Sequence, residues 1–258
     1  MYKDRKYRVR SLADIKEDIR MAKDHYGDLE KIFLCDGDAI DIDTDILLEI
    51  LAELKKSFPS LRHVGTYVGP VSVLKKSMSE LSALRDAGLS KAYLGVETGD
   101  DRLLAEIKKG ANYTEMLQAG LNLNNAGFNL SSMVILGLAG KGDRSREHAL
   151  ATAKITNEMK PKYLAALTIT PVPGTVLYNK VQKGDFKILD PFETLEEMKI
   201  IFENISIDDL KFVGVHASNY LPVNGTLQRD KQKMIDTVNR VLETRDESQI
   251  KPERMRGL

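Results

Sequence analysis

The densest group of side chains able to do chemistry lies at residues 31–45, KIFLCDGDAIDIDTD, where an apolar run meets the only cysteine and five aspartates follow at close spacing. Carboxylates in that pattern can hold a hard cation, act as nucleophiles or bind a cationic ligand. A calcium loop needs oxygen ligands at positions 1, 3 and 5, a glycine at 6 and a glutamate at 12. Counted from Asp36, those last three places fall on Ile40, Asp41 and Leu47; counted from Asp41, Ile46 and Ala52 take the glycine and glutamate places, so both registers fail. A phosphatase loop of the form Asp-x-Asp-Gly-Thr is not matched by Asp-Gly-Asp-Ala. Asp43 and Asp45 suit the cap and first turn of the next helix. Asp36, Gly37 and Asp38 are left at the C-terminal end of a predicted parallel strand, where α/β folds gather their ligands.

Other strand ends carry comparable chemistry. Gly95-Val96-Glu97-Thr98-Gly99 places a carboxylate between two glycines, which let the backbone turn tightly and approach a ligand. Gly137-Leu138-Ala139-Gly140, Pro171-Val172-Pro173-Gly174-Thr175 and His216-Ala217-Ser218-Asn219 close three further runs. Any one of these fits a simple turn, and Glu97 alone fits a pairing with Lys91 or a cap near Asp101; as a set they predict a pocket rimmed by strand ends. His25, His63, His148 and His216 lack metal-ligand spacing and read as surface or structural histidines. There is no GxGxxG, Walker loop or GxSxG, and no lysine stands at a strand exit for Schiff-base chemistry. Cys35, within the apolar run, reads as a buried, inert thiol.

The elements that must position these residues alternate between short β-branched runs and amphipathic helices, the pattern of βα units on a parallel sheet. Predicted strands are 31–35, 63–67, 91–96, 129–136, 163–170 and 211–216, with six as the minimum. Ser11 caps a helix striped by Leu12, Ile15, Ile19, Ala22 and Tyr26. Ser77-x-x-Glu80 is a capping box that opens another, closed at Ala87-Gly88. Ile46, Leu47, Ile50, Leu51, Leu54 and Phe58 stripe a third, and Ser145 to Met159 forms one more before Lys160-Pro161. The first helix has no strand before it, because MYKDRKYRVR is too charged to be a buried one.

At 258 residues the chain suits one large domain, with folding burying roughly three quarters of its surface. Its 38 basic and 38 acidic residues cancel, which argues against a global field for nucleic acid or membrane. A single cysteine and no long apolar run predict a reducing, cytoplasmic setting. The division expected is a main domain over 1–244 and a charged, frayed tail over 245–258.

Taken in order, the strand exits resemble those of the radical S-adenosylmethionine (radical SAM) superfamily, from about Met1 to Leu242. LGVETGDDRLLAEIKKG and AGFNLSSMVILGLAG carry the likeness most strongly. The resemblance implies a partial (β/α)6 TIM-like barrel of parallel strands, with S-adenosylmethionine (SAM) at the strand ends. Asp36-Gly37-Asp38 would stand in for a Gly-Gly-Glu-like motif, with Asp38 on the amino group of SAM. Glu97 would lie near the ribose and amino acid part, and Ser131, Ile135 and Gly137 near ribose and adenine. Tyr67, Thr170, His216 and Asn219 would face the substrate. The implied reaction is reductive cleavage of SAM to methionine and a 5′-deoxyadenosyl radical, followed by hydrogen abstraction from an unidentified, small-molecule or other, substrate, with a reducing electron donor.

The chain departs from that family in two places. A [4Fe-4S] cluster there is held by CxxxCxxC, which one cysteine cannot supply, and in the Gly-x-Ile-x-Gly-x-x-Glu pattern Met133 and Gly140 occupy the outer positions. MYKDRKYRVR resembles the segment that follows the cluster loop, so a start at an internal methionine, with first strand and cluster loop omitted, is expected; natural loss of the cluster is the second reading. The cluster is not expected on this chain, which should fold without catalysing, and its exposed parallel edge invites a dimer. Alternatives are a cluster-free SAM-binding or regulatory protein and an ordinary barrel lyase.

Overall fold

The computed structural model describes residues 8–257. MYKDRKY, the first part of the segment likened to a cluster-loop continuation, lies outside the described residues. The chain forms two compact units, Tyr2–Gly95 with Gln118–Ser131 and Val96–Leu117 with Ser132–Leu258. Its strands run in chain order, β1 to β7, in one sheet that is mostly parallel.

In the first unit α1 (Leu12–Tyr26) comes before any strand among the described residues and is capped by Ser11, whose hydroxyl accepts from the Asp14 N–H. β1 (Lys31–Leu34) leads into α2 (Thr44–Ser57), where Asp43 accepts from the N–H groups of Asp45 and Ile46. That satisfies donors which the first helical turn cannot pair for itself. β2 (His63–Val68) is followed by the short α3 (Pro70–Lys75), then by α4 (Met78–Asp86), which opens on the Ser77–Glu80 capping box. β3 (Leu89–Glu97) runs from this unit into the next. Phe33 stands opposite Gly65 and Tyr67 opposite Tyr93, so one sheet face is aromatic. Leu47, Leu51, Leu54 and Phe58 of α2 and its end join Leu81, Leu84, Val64 and Leu94 in the buried set.

The second unit holds α5 (Asp101–Glu106), the first turn of α6 (Tyr113–Asn125) and most of β4 (Asn129–Leu136). Then come α7 (Asp143–Met159), β5 (Tyr163–Thr168), α8 (Val176–Lys183) and α9 (Pro191–Asn204). β6 (Lys211–Gly214), β7 (Val223–Thr226) and α10 (Lys231–Thr244) complete it. β5 and β6 are parallel, but β7 is antiparallel to β6, with Gly214 opposite Val223. A parallel partner would need a crossover of a dozen or more residues, and the link from Gly214 to Val223 is too short for one. β7 is therefore an addition to the six strands expected.

The segment expected to fray is instead tied down. Ile250 is buried, and the Arg256 side chain is only 3% exposed. Its guanidinium donates to the carbonyls of Ser218 and Ile169, to Thr170 Oγ1, to the Tyr220 hydroxyl and to Glu253, and lies 4.2 Å over the Tyr220 ring. A charged composition concealed this anchor, because a guanidinium whose donors are all placed can be buried.

Gly99 shows why the β3 exit is glycine-rich. A Cβ there would lie 2.1 Å from the Ala151 carbonyl oxygen of α7, so only a bare backbone fits. We expect Gly99→Ala to destabilise the protein by at least about 2 kcal/mol through overpacking. Urea denaturation measures this, and an unchanged midpoint would show that α7 does not press on this exit.

Candidate functional site

In the first unit the β1 exit is built around Asp38. Asp36 (φ 67) and Gly37 (φ 152) turn the chain, and the Asp38 carboxylate reaches the exit of β2. Its Oδ2 accepts from the Gly69 N–H at 2.6 Å and from the Ser72 hydroxyl. Gly69 is needed for this, since a Cβ there would lie 2.9 Å from Asp38 Oδ2. Oδ1 is buried and has no hydrogen-bond partner. Burial pushes the Asp38 carboxyl above the ordinary carboxylate range, against the opposing pull of Ser72 and of the Gly69 and Ile40 N–H groups. Tyr67 stands near this exit, 49% exposed, with its ring edge-on to Phe33 and Tyr93 at 4.9 and 5.9 Å between centroids. Ser131 is buried on β4. Cys35, expected to be buried, is exposed because β1 ends one residue earlier, at Leu34; its thiol donates weakly to the Phe33 carbonyl.

In the second unit Glu97 adopts φ 63 at the end of β3 and pairs with Lys109 at 2.7 Å, both side chains 20% exposed. The helix cap beyond it is Asp100, not Glu97, and accepts from the Arg102 and Leu103 N–H groups. The Ile135 carbonyl accepts from His148 Nε2 at 3.1 Å. Gly137 (φ 78) donates its N–H to Glu197 Oε1 at 2.7 Å, and its carbonyl accepts from Gly140. Gly137 therefore has no spare N–H for a ligand.

Thr170, His216 and Asn219 have three different roles in the fold. Thr170 Oγ1 accepts from Arg256 at 2.9 Å. Asn219 is 1% exposed and wholly engaged, accepting from the Thr168 hydroxyl and donating to the Ala166 and Gly214 carbonyls. It fastens β5 to β6 and has no N–H left for a substrate. His216 Nδ1 accepts from the Ser218 N–H at 3.2 Å, which requires that nitrogen to be unprotonated, so the ring proton sits on Nε2. The Ser218 hydroxyl, which accepts from the Thr168 N–H, also bonds Nδ1.

Lys109, Ser72, His148 and Glu197 were not singled out as site residues from the sequence. A signal existed for Glu197: it falls on the buried stripe of α9 with Thr194, Met198 and Ile201, where a carboxylate needs a reason. Lys109 gave none.

Residues 1–153 match the family model of the Radical SAM superfamily. Over 179 residues the chain is 25% identical to a heme chaperone, HemW, of Bacillus subtilis, covering 69% of this chain and 46% of that protein. Over 177 residues it is 26% identical to an uncharacterized methyltransferase of Pyrococcus horikoshii, covering 67% of this chain and 36% of that one. The chain thus spans less than half the length of these two relatives. Among solved structures, Elp3 of Methanocaldococcus infernus superimposes with a TM-score of 0.60 at 15% identity, over 91% of this chain and 59% of that one. Coproporphyrinogen III oxidase (HemN) of Escherichia coli, a radical SAM enzyme, gives 0.57 at 14% identity, over 73% and 43%. These likenesses agree with the fold expected from the sequence.

Asp38 binds its proton more tightly folded than unfolded, so its share of stability falls as pH rises above the unfolded value of about 3.9. Glu80, held down to about 2 by Thr44 and Ser77, and Asp230, held at about 2 by Arg229 and Thr226, act oppositely: their share is present above the unfolded values of about 4 and is lost as pH falls below them toward about 2. We expect the urea midpoint to fall on both sides of a maximum, with Asp38→Asn making the alkaline-side decline shallower. A slope unchanged by that substitution would show that Asp38 does not titrate differently on folding.

Proposed function

The chain belongs to the radical SAM superfamily, and from that premise we propose that its strand exits bind S-adenosylmethionine as part of a radical SAM enzyme core. The observation that carries this reading is the orphaned Oδ1 of Asp38. A buried carboxylate oxygen with no donor is costly, and a ligand ammonium would supply both the missing hydrogen bond and a positive charge to offset the negative one that burial penalises. The amino group of SAM is such an ammonium. In the second unit Glu97 offers acceptors suited to ribose hydroxyls, and Lys109 beside it offers an ammonium suited to a carboxylate. Ser131 and Ile135 would line the nucleoside side, Gly137 contributing shape and not its N–H. Tyr67 and the Nε2–H of His216 are the groups offered to a substrate.

In the family, SAM is cleaved to methionine and a 5′-deoxyadenosyl radical with an electron from a [4Fe-4S] cluster. The residues present here do not fit that cluster. The chain has one cysteine, and no group of three or more His, Cys, Asp or Glu side chains able to hold a metal occurs among the described residues. We assign no cleavage step to this chain alone. In a fuller protein, other residues would supply the thiolates, a reducing partner the electron, and an unidentified substrate the hydrogen atom. No helix among the described residues is long and apolar enough to cross a membrane. Among the described residues β1 has a sheet neighbour on one side only, so its other edge is proposed as a pairing edge for a second copy.

Titration calorimetry with SAM tests the reading. Wild type should bind, and Asp38→Asn and Lys109→Ala should each weaken binding about tenfold or more while the circular dichroism stays unchanged. Failure of wild type to bind SAM would favour a barrel lyase instead.

A further inference from the structure

His148 and Glu197 form a nearly water-free pair: their side chains are 1% and 0% exposed, and His148 Nε2 lies 3.5 Å from Glu197 Oε1. No role assigned so far uses either. Each nevertheless ends on a strand exit. His148 Nε2 meets the Ile135 carbonyl, which can only accept, so that nitrogen carries a proton; Nδ1 bonds Thr98 Oγ1 at 2.8 Å. Thr98 is the residue after Glu97, and its hydroxyl also accepts from the Asp100 N–H. Glu197 takes the Gly137 N–H on Oε1 and the Ser145 hydroxyl on Oε2 at 2.5 Å. Burial pushes its carboxyl upward in pKa, opposed by His148, Ser145 and Gly137.

We propose that His148 and Glu197 are positioning residues for SAM: acting as one unit, they fix the β3 exit through Thr98 and the β4 exit through Ile135 and Gly137. The proposal rests on the SAM reading above and extends it to residues that touch no ligand. α7 carries both His148 and Ser145, and it can come this close only because residue 99 is glycine. Glu97 would owe its placement to a hydrogen bond made by its neighbour. The left-handed turn at Gly137 would be held by a carboxylate from α9, sixty residues further along the chain. A packing role alone would require only bulk at these places. The arrangement here is directional, with each polar atom of the pair aimed at an exit or at a residue of α7.

The test separates direction from bulk. Glu197→Gln keeps an acceptor for Gly137 and offers an amide to Ser145, whereas Glu197→Ala leaves the Gly137 N–H and the Ser145 hydroxyl without these partners, while His148 keeps its bonds to Ile135 and Thr98. His148→Asn can reach Thr98 in place of Nδ1, and His148→Gln can reach Ile135 in place of Nε2. Each full-length variant is titrated with SAM well below its melting temperature, and the Gly137 amide is followed by proton–nitrogen NMR and hydrogen exchange. Glu197→Ala should weaken SAM binding about tenfold or more, with Glu197→Gln recovering most of it, and should speed exchange at Gly137. Each His148 variant should fall between the two. The proposal is overturned if Glu197→Ala and Glu197→Gln lower the melting temperature alike while SAM affinity stays at the wild-type value, or if the Gly137 amide does not respond. If wild type itself fails to bind SAM, the ligand reading fails and the positioning role with it, while exchange at Gly137 still reports whether the tether exists.

Discussion

A carboxylate almost sealed from water has to be met by donors on each oxygen, and the second unit is arranged around that demand at Glu197. One donor comes from the β4 exit, one from a serine at the start of α7, and a ring nitrogen from the next turn of the same helix stands beside them. No two of these elements can shift independently without stranding a polar group. That constraint explains why α7 and α9 pack closely and why α7 sits against the β3 exit at Gly99. Apolar contact alone would allow sliding, because its energy depends on area and not on direction.

The first unit handles a carboxylate that is only partly buried differently. Asp38 Oδ2 takes its donors from the β2 exit and the short helix after it, and the Ile40 N–H also pulls on the carboxylate. The bonds are sufficient to fix the loop but not to neutralise the group, and the second oxygen remains without a partner. A fully satisfied carboxylate braces structure, as Glu197 does. A half-satisfied one at a strand exit retains a preference for a cation, which is why the two acidic residues receive different roles although burial shifts both in the same direction.

Local chemistry was readable in the sequence, and distant pairing was not. The strand over residues 129–136 was delimited correctly because it is apolar and bounded by glycines on both sides. The Ser11, Asp43 and Ser77–Glu80 caps were legible because each involves residues only a few positions apart. β7, in contrast, is four residues containing asparagine and glycine, which favour turns; only its pairing with β6 makes it a strand. The Glu97–Lys109 pair spans a helix, the Arg256 contacts reach back more than eighty residues to Thr170, and His216 and Asn219 share one sequence run yet differ in availability. Those distinctions depend on which atoms meet after folding, and neither period nor spacing encodes them.

The division of the chain into units has a consequence for its synthesis. The first unit is not contiguous: the chain leaves it after Gly95, contributes Val96–Leu117 to the other unit, and returns with Gln118–Ser131. A polypeptide emerging from the ribosome folds its earlier parts first where they are self-sufficient. Here the first unit is complete only once Ser131 has been made, after Val96–Leu117 of the other unit.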